Sequence, residues 1–421
     1  MTEPAEAVLA TAVREEWGRV TSLLLARYRR LDLVEDALGD AVEAAARRWP
    51  VDGAPDNPPA WLLATARRRV IDRLRAESMA QRKAPLIVTD ARHRHERSTA
   101  MADPGDLVED DLLRLVLMCT HPALAADAAS ALALRLVLGV STHDIARLFL
   151  VGEPTAAARI TRAKKKIVAA GIPFALPAAD VLPQRLETVA QTAYLAFTAG
   201  YAPGSGPDLV RAGLAGEAVR LVRVVVDLCP GEPAPVALLA LMLLQHSRRD
   251  ARVGGDGRLV LLPEQDRRRW RREEIDEALA RLADPVLTGP VTPLAASYAV
   301  QARIAAEHAT AVSPADTRWD RIVEHYDLLL RIVPSPSARL ARAVAVAEAF
   351  GPEAGLDALD GVVVPGSHRV AAVRAELLSR RGDVAAAIAA YEEAIVACRN
   401  DTERAHLVER RQALTGVAPS A

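Results

Sequence analysis

Apolar residues recur at helical spacing along most of this 421-residue chain, and proline or glycine stands where the pattern stops. The first segment sets the rule. Val13, Trp17, Val20, Leu24 and Tyr28 repeat every three or four positions, which draws one stripe along a helix. Composition points the same way. Ala and Leu dominate, aromatics are only 4%, and β-branched residues come mostly as isolated Val. Such a mix favours helix over sheet. The expected fold class is all-α.

The length predicts two to four domains. "RLDLVEDALGDAVEAAARRW" places acids early and Arg47 and Arg48 late, which suits the helix dipole. "PVDGAPDNPP", 50 to 59, is a breaker loop. Pro58 and Pro59 then open a third helix, since proline is tolerated in a first turn. Residues 80 to 108 are polar and read as a flexible linker. Helical patterning restarts with "LVEDDLLRLVLMC", and Ser141 or Thr142 is the expected N-cap of the short helix "STHDIARLF". Beyond residue 180 helices follow one another. Two of them start after Gly351 and Gly382, 31 positions apart (382 − 351), near the period of tetratricopeptide arrays. "GGDGRLVLLPEQDRRRW", 254 to 270, breaks that series, with Leu259 to Leu262 expected to run extended.

Chemistry concentrates in "TAAARITRAKKKI", 155 to 167. It carries Arg159, Arg162, Lys164, Lys165 and Lys166 and no acid, in a chain of 53 Lys plus Arg against 54 Asp plus Glu. Helix, turn at Gly152 and second helix give a helix-turn-helix layout. Ile145, Ala146, Leu148, Phe149 and Val151 are expected to pack the two helices together. Ile160 and Ile167 share one buried face, which turns Arg159, Arg162 and Lys166 outward. A helix of this kind contacts base edges near its start and phosphates further along. The bland alternative is a solvated helix with a basic end. A second cluster runs from Trp61 to Lys83, with seven cations against Asp72 and Glu77. Cations beside an aromatic suit a nucleic-acid strand. Trp61 can equally be a core residue, which is the role we favour for it.

Other classes find little support. Cys119, Cys229 and Cys398 are few, odd in number and far apart, which fits small buried thiols in a reducing cytoplasm. No signal peptide is expected, and "PVALLALMLL" is too short to span a bilayer and reads as a buried helix. His93-x-His95 falls in the expected linker. No HExxH, CxxC, phosphate loop or nucleophile elbow is present. The chain is therefore expected not to be an enzyme and to need no cofactor. A small-molecule hydrolase with a helical lid would lack its nucleophile–base pair.

The order of these segments resembles the extracytoplasmic-function (group IV) sigma factors of bacterial RNA polymerase. "RLDLVEDALGDAVEAAARRWP" looks like regions 2.1–2.2, "NPPAWLLATARRRVIDRLR" like regions 2.3–2.4, and "STHDIARLFLVGEPTAAARITRAKKKI" like region 4.2. "HPAL", "AKKKIVAAGIPF" and "LMLLQHSRRDARVGGDGRLVLLPEQDRRRW" resemble the subfamily with a C-terminal tetratricopeptide-like extension. The chain departs from the family at Gly39, where Gln is usual, and at Arg68, where Asn is usual. The resemblance implies a sigma-2 helical domain over 1–86, a linker over 87–108, a sigma-4 helix-turn-helix domain over 109–172 and a tetratricopeptide-like helical-repeat domain over 173–421. It implies that Glu35, Asp36 and Asp40 face core RNA polymerase. Trp61, Arg67, Arg68, Asp72 and Arg73 would meet the −10 strand, and Thr155, Arg159, Arg162 and Lys164 the −35 duplex of promoter DNA. The implied setting is the cytoplasm, without membrane contact, with a protein or small-molecule regulator at the C-terminal domain. The alternative is a helix-turn-helix regulator on a tetratricopeptide scaffold that does not bind core polymerase.

Overall fold

The computed structural model of the protein describes residues 5–83, 104–201, 212–252, 254, 260–364, 367–398 and 401–415. Every regular element among the described residues is helical, so the chain is all-α. It divides into two compact units, Met1–Ala196 and Phe197–Ala421.

The first unit begins with α1 (Ala5–Tyr28), α2 (Leu31–Asp52) and α3 (Pro58–Lys83). Their packing follows the stripes. α2 turns Val34, Ala37, Leu38, Ala41, Ala45 and Trp49 inward, mostly small residues that let its neighbours come close. Trp17, Val20 and Leu24 of α1 and Leu62, Ala66 and Val70 of α3 complete this core. Gly53, at φ 88°, closes α2 by donating its N–H to the Trp49 carbonyl, 3.0 Å away. The next helices are α4 (Pro104–Cys119), α5 (Ala126–Leu138), α6 (Thr142–Phe149) and α7 (Glu153–Ala169), and then α8 (Leu182–Tyr201), whose last turn belongs to the second unit. The expected linker lies largely outside the described residues, as does His93-x-His95, and α4 opens at Pro104.

α1 packs on α4 and α5 as well as on α2 and α3, so one continuous body results. Two glycines permit the approach. A Cβ at Gly18 would lie 2.3 Å from the Val137 carbonyl oxygen, and one at Gly139 would lie 2.7 Å from the Trp17 ring. The segment after α7 folds back as well, with Arg29 donating to the Phe174 carbonyl at 3.1 Å.

The second unit holds α9 (Ala212–Leu228), α10 (Pro233–His246), α11 (Arg272–Leu282), α12 (Pro293–Thr310), α13 (Trp319–Ile332), α14 (Pro336–Phe350), α15 (Pro352–Leu359), α16 (Arg369–Arg381), α17 (Val384–Ala397) and α18 (Asp401–Thr415). α10 contains the apolar run and is buried nearly all round, packed by α9, α11 and α12. From α12 onward each helix packs on the next, a serial array. Gly351 and Gly382 take φ of 97° and 96° at the ends of α14 and α16, which explains their recurrence. In the segment between α10 and α11, Leu261 is extended, as expected, and the run ends at Leu262, where Leu262–Glu264 forms a 3-10 turn; Leu259 lies outside the described residues. Residues 255–259, which carry the Gly-Asp-Gly, lie outside the described residues.

Candidate nucleic-acid and polymerase interface

The α6–turn–α7 unit is built as its sequence requires. Ser141 is the N-cap of α6, its Oγ accepting from the Asp144 N–H at 3.0 Å. Ile145, Ala146 and Leu148 are buried, and Phe149 and Val151 are half-buried. The chain reverses at Leu150, at φ 54°, where the Val151 N–H reaches back to the Ala146 carbonyl at 3.0 Å. Gly152 has ordinary extended backbone and instead opens α7, its carbonyl accepting from Thr155 and Ala156. α7 buries Ala156, Ile160, Ala163 and Ile167, one stripe at helical spacing.

That stripe sorts the cations of α7. Thr155, Arg162, Lys165 and Lys166 are exposed. Arg159 is tilted toward α5, where its guanidinium lies 3.3 Å from the Asp127 carboxylate. Lys164 is half-buried and binds the Glu35 carboxylate of α2. Glu35 also accepts from Arg135 Nε of α5 at 2.9 Å. Glu35 is thus a buried acid clasped by two cations, not a residue of the solvated face, and its side chain is only 9% exposed. Arg135 also lies over the Trp17 ring, 5.6 Å from its centroid. Cys119 sits in the same buried region. Burial raises its thiol pKa well above the usual range, and the Glu35 carboxylate adds to the rise, so this thiol stays protonated.

α2 and α3 are bonded across their polar faces. Arg73 donates to Asp40 at 2.8 Å and lies 3.8 Å from Asp36, whose side chain is mostly exposed. A Cβ at Gly39, between them, meets nothing within 4 Å, so this stretch of α2 is open. Trp61 is half-buried, its ring edge-on to Trp49 at 5.5 Å, which makes it part of the core. Arg67, Arg68 and Arg69 are exposed, and among the described residues none is within ion-pair distance of an acid. Asp72 lies 3.7 Å from Arg75, one turn away.

The residues proposed from sequence thus occupy two surfaces of the first unit. One is the outer face of α3 with Arg67, Arg68 and Asp72, bordered by Asp36, Asp40 and Arg73. The other is the exposed side of α7 with Thr155 and Arg162. Glu35, Arg159 and Lys164 are engaged inside the unit. Lys166 is exposed as its position opposite Ile160 and Ile167 predicts, and Lys165, which sequence reasoning did not single out, is exposed beside it. Sequence reasoning also passed over Arg135, the sole cation in the apolar run "ASALALRLVLGV", a signal that a buried acid was waiting for it.

Residues 12–79, the α1–α3 core, match the sigma-70 region 2 family. Residues 185–285 match a family of unknown function, DUF6596. The uncharacterized protein R00370 of Rhizobium meliloti (strain 1021) is 41% identical over 389 residues, 91% of this chain and 90% of that protein. The chain belongs to the family of this protein. Its sigma-70 region 2 supports a sigma-70 family sigma factor, with a role in transcription initiation. The crystal structure of yeast Tom70 aligns over 98% of this chain and 87% of its own at 11% identity and a TM-score of 0.35, too distant to carry an argument. No helix among the described residues is long and apolar enough to cross a membrane.

Proposed function

We propose that the protein is an extracytoplasmic-function sigma factor. It binds core RNA polymerase in the cytoplasm and directs promoter-specific initiation, and its C-terminal helical array modulates that activity. The observation that carries this reading is the coincidence of the sigma-70 region 2 match with a helix, α3, whose outer face presents Arg67, Arg68 and Arg69, which have no acid within ion-pair distance among the described residues. Such a face can follow a strand's phosphates. The half-buried Trp61 is the structural support of α3 and not a free stacking platform.

In this reading Asp36 and Asp40 supply the acidic contact with polymerase, and Arg73 holds Asp40 in place. The −35 duplex meets α7 through Thr155 and Arg162, joined by Lys165 and Lys166. The α6–turn–α7 unit presents the first turn of α7 to the major groove, and its small exposed Ala157 and Ala158 allow close approach. Phosphodiester chemistry belongs to the polymerase, so the chain itself is not an enzyme and needs no cofactor. A protein or small-molecule regulator acts through the second unit.

The test is transcription in vitro. The full chain is added to core polymerase and fragmented DNA of the source genome, and 5′ ends of the transcripts are mapped. A common upstream motif at the new start sites supports the reading. Start sites no different from those of core alone would refute it.

A further inference from the structure

We propose that His368, Cys398 and Glu403 hold one divalent ion of the zinc class, with water as the fourth ligand, at the junction of the last three helices. The three side chains come from three element ends. His368 precedes the first turn of α16, Cys398 caps the C-terminus of α17, and Glu403 lies in the first turn of α18. Their ligand atoms all lie within 4.8 Å of one another. His368 Nε2 is 3.1 Å from Glu403 Oε2 and 3.7 Å from Cys398 Sγ.

The sulfur–nitrogen separation fits a tetrahedral ion, and the nitrogen–oxygen pair would open by a few tenths of an ångström to receive one. Zinc bonds of about 2.0–2.1 Å to nitrogen and oxygen and about 2.3 Å to sulfur place neighbouring ligand atoms roughly 3.3–3.8 Å apart. A His–Glu ion pair would account for the 3.1 Å contact alone. Cys398 Sγ contacts the same imidazole nitrogen, so three potential ligand atoms of different chemistry converge on one point. The donor set also selects the metal. A thiolate with an imidazole and a carboxylate is too soft for magnesium or calcium and suits zinc. Thiolate and carboxylate together carry the two negative charges that balance the ion.

The surroundings fit a site that can be loaded. Cys398 is 4% exposed, while the side chains of His368 and Glu403 are 15% and 20% exposed, which leaves a solvent side for the water ligand and for entry. Two contacts beside the site do not depend on the metal. Arg404 Nε donates to the Cys398 carbonyl at 3.2 Å, and its guanidinium pairs with Asp401 at 2.9 Å. Arg369 lies 3.5 Å from the other Glu403 oxygen, which directs Oε2 toward the imidazole. Bound there, the ion would tie α16, α17 and α18 together.

The experiment uses the full chain, reduced with a phosphine, stripped with chelator and dialysed against zinc(II) or, anaerobically, cobalt(II). Metal content is read by atomic emission and the cobalt form by its absorption spectrum. The expected result is one metal per chain. The cobalt form should show a thiolate-to-cobalt charge-transfer band and the intense visible bands of a tetrahedral ion. Cys398→Ser should lose the charge-transfer band, and Cys229→Ser should keep it. His368→Ala and Glu403→Gln should each weaken binding at least about tenfold, the smallest loss expected when even an outer partner of a ligand is removed. Less than a tenth of an equivalent retained by the unmutated chain overturns the proposal without reference to any variant. So does a charge-transfer band that survives in Cys398→Ser.

Discussion

Glu35→Gln is the perturbation whose effect the structure specifies most closely. The carboxylate is nearly buried and accepts from Arg135 and Lys164, whose side chains are 24% and 26% exposed. Charge-assisted hydrogen bonds contribute about 1.5–3 kcal/mol each. The amide keeps the shape and can still accept one bond, and the two cations, a quarter exposed, regain some water. The net cost is then about 2–4 kcal/mol, at the lower end of what breaking a buried pair exacts. Lys164→Met removes one arm of the clasp and keeps most of its apolar stem. With Glu35→Gln already present it should cost less, by a coupling of about 1–2 kcal/mol. Native-state hydrogen exchange is the appropriate assay, because two compact units make a single global transition unsafe to assume. Amides of α2, α5 and α7 should lose protection together in each single variant, while those of α16 and α17 stay unchanged. Single-variant losses that simply add in the double variant, or an α2 as protected in Glu35→Gln as before, would refute the clasp.

Two further outcomes follow from side-chain placement. Arg162→Ala should weaken duplex binding and lower the salt slope by about 0.9, the value for one phosphate contact; Arg159→Ala, whose guanidinium is held by Asp127, should change the slope far less, and equal effects would remove the distinction. His308 lies edge-on to Trp319, and its pKa is pushed down to about 4 by burial and by the charges of Arg248 and Arg267. It stays neutral in the folded chain, while the unfolded chain takes up a proton near pH 6.5. The stabilisation is therefore complete above about pH 6.5 and is lost as pH falls toward 4, by about 2–3 kcal/mol. Melting curves at pH 7 and pH 5 should show a larger loss in the natural chain than in His308→Phe, and parallel losses would contradict the assignment.

Helical organisation was legible because it is local. The stripe through Trp17, Val20 and Leu24, the Ser141 cap and the paired Ile160 and Ile167 all follow from residues within two helical turns of one another. The turn was half legible. Gly152 drew the eye, yet the left-handed residue is Leu150, set by the bond from Val151 to Ala146. Glu35 was not legible at all. On α2 it looks like its neighbour Asp36, and its partners lie 100 and 129 positions away. For the same reason Arg159 and Lys164 looked free in a run without acids. His368, Cys398 and Glu403 share no motif spacing, and Cys398 reads as an ordinary small buried thiol until the ends of three helices meet around it.

The most direct test of the account is co-elution of the full chain with core RNA polymerase, run beside the double variant Asp36→Arg/Asp40→Arg. Asp36 is mostly exposed but Asp40 is bonded to Arg73 of α3, so the variant is first shown by circular dichroism to keep its helical content and cooperative melting. The account predicts a stoichiometric complex for the natural chain and none for the variant. A folded natural chain that elutes apart from core, both whole and as residues 1–196, would contradict it.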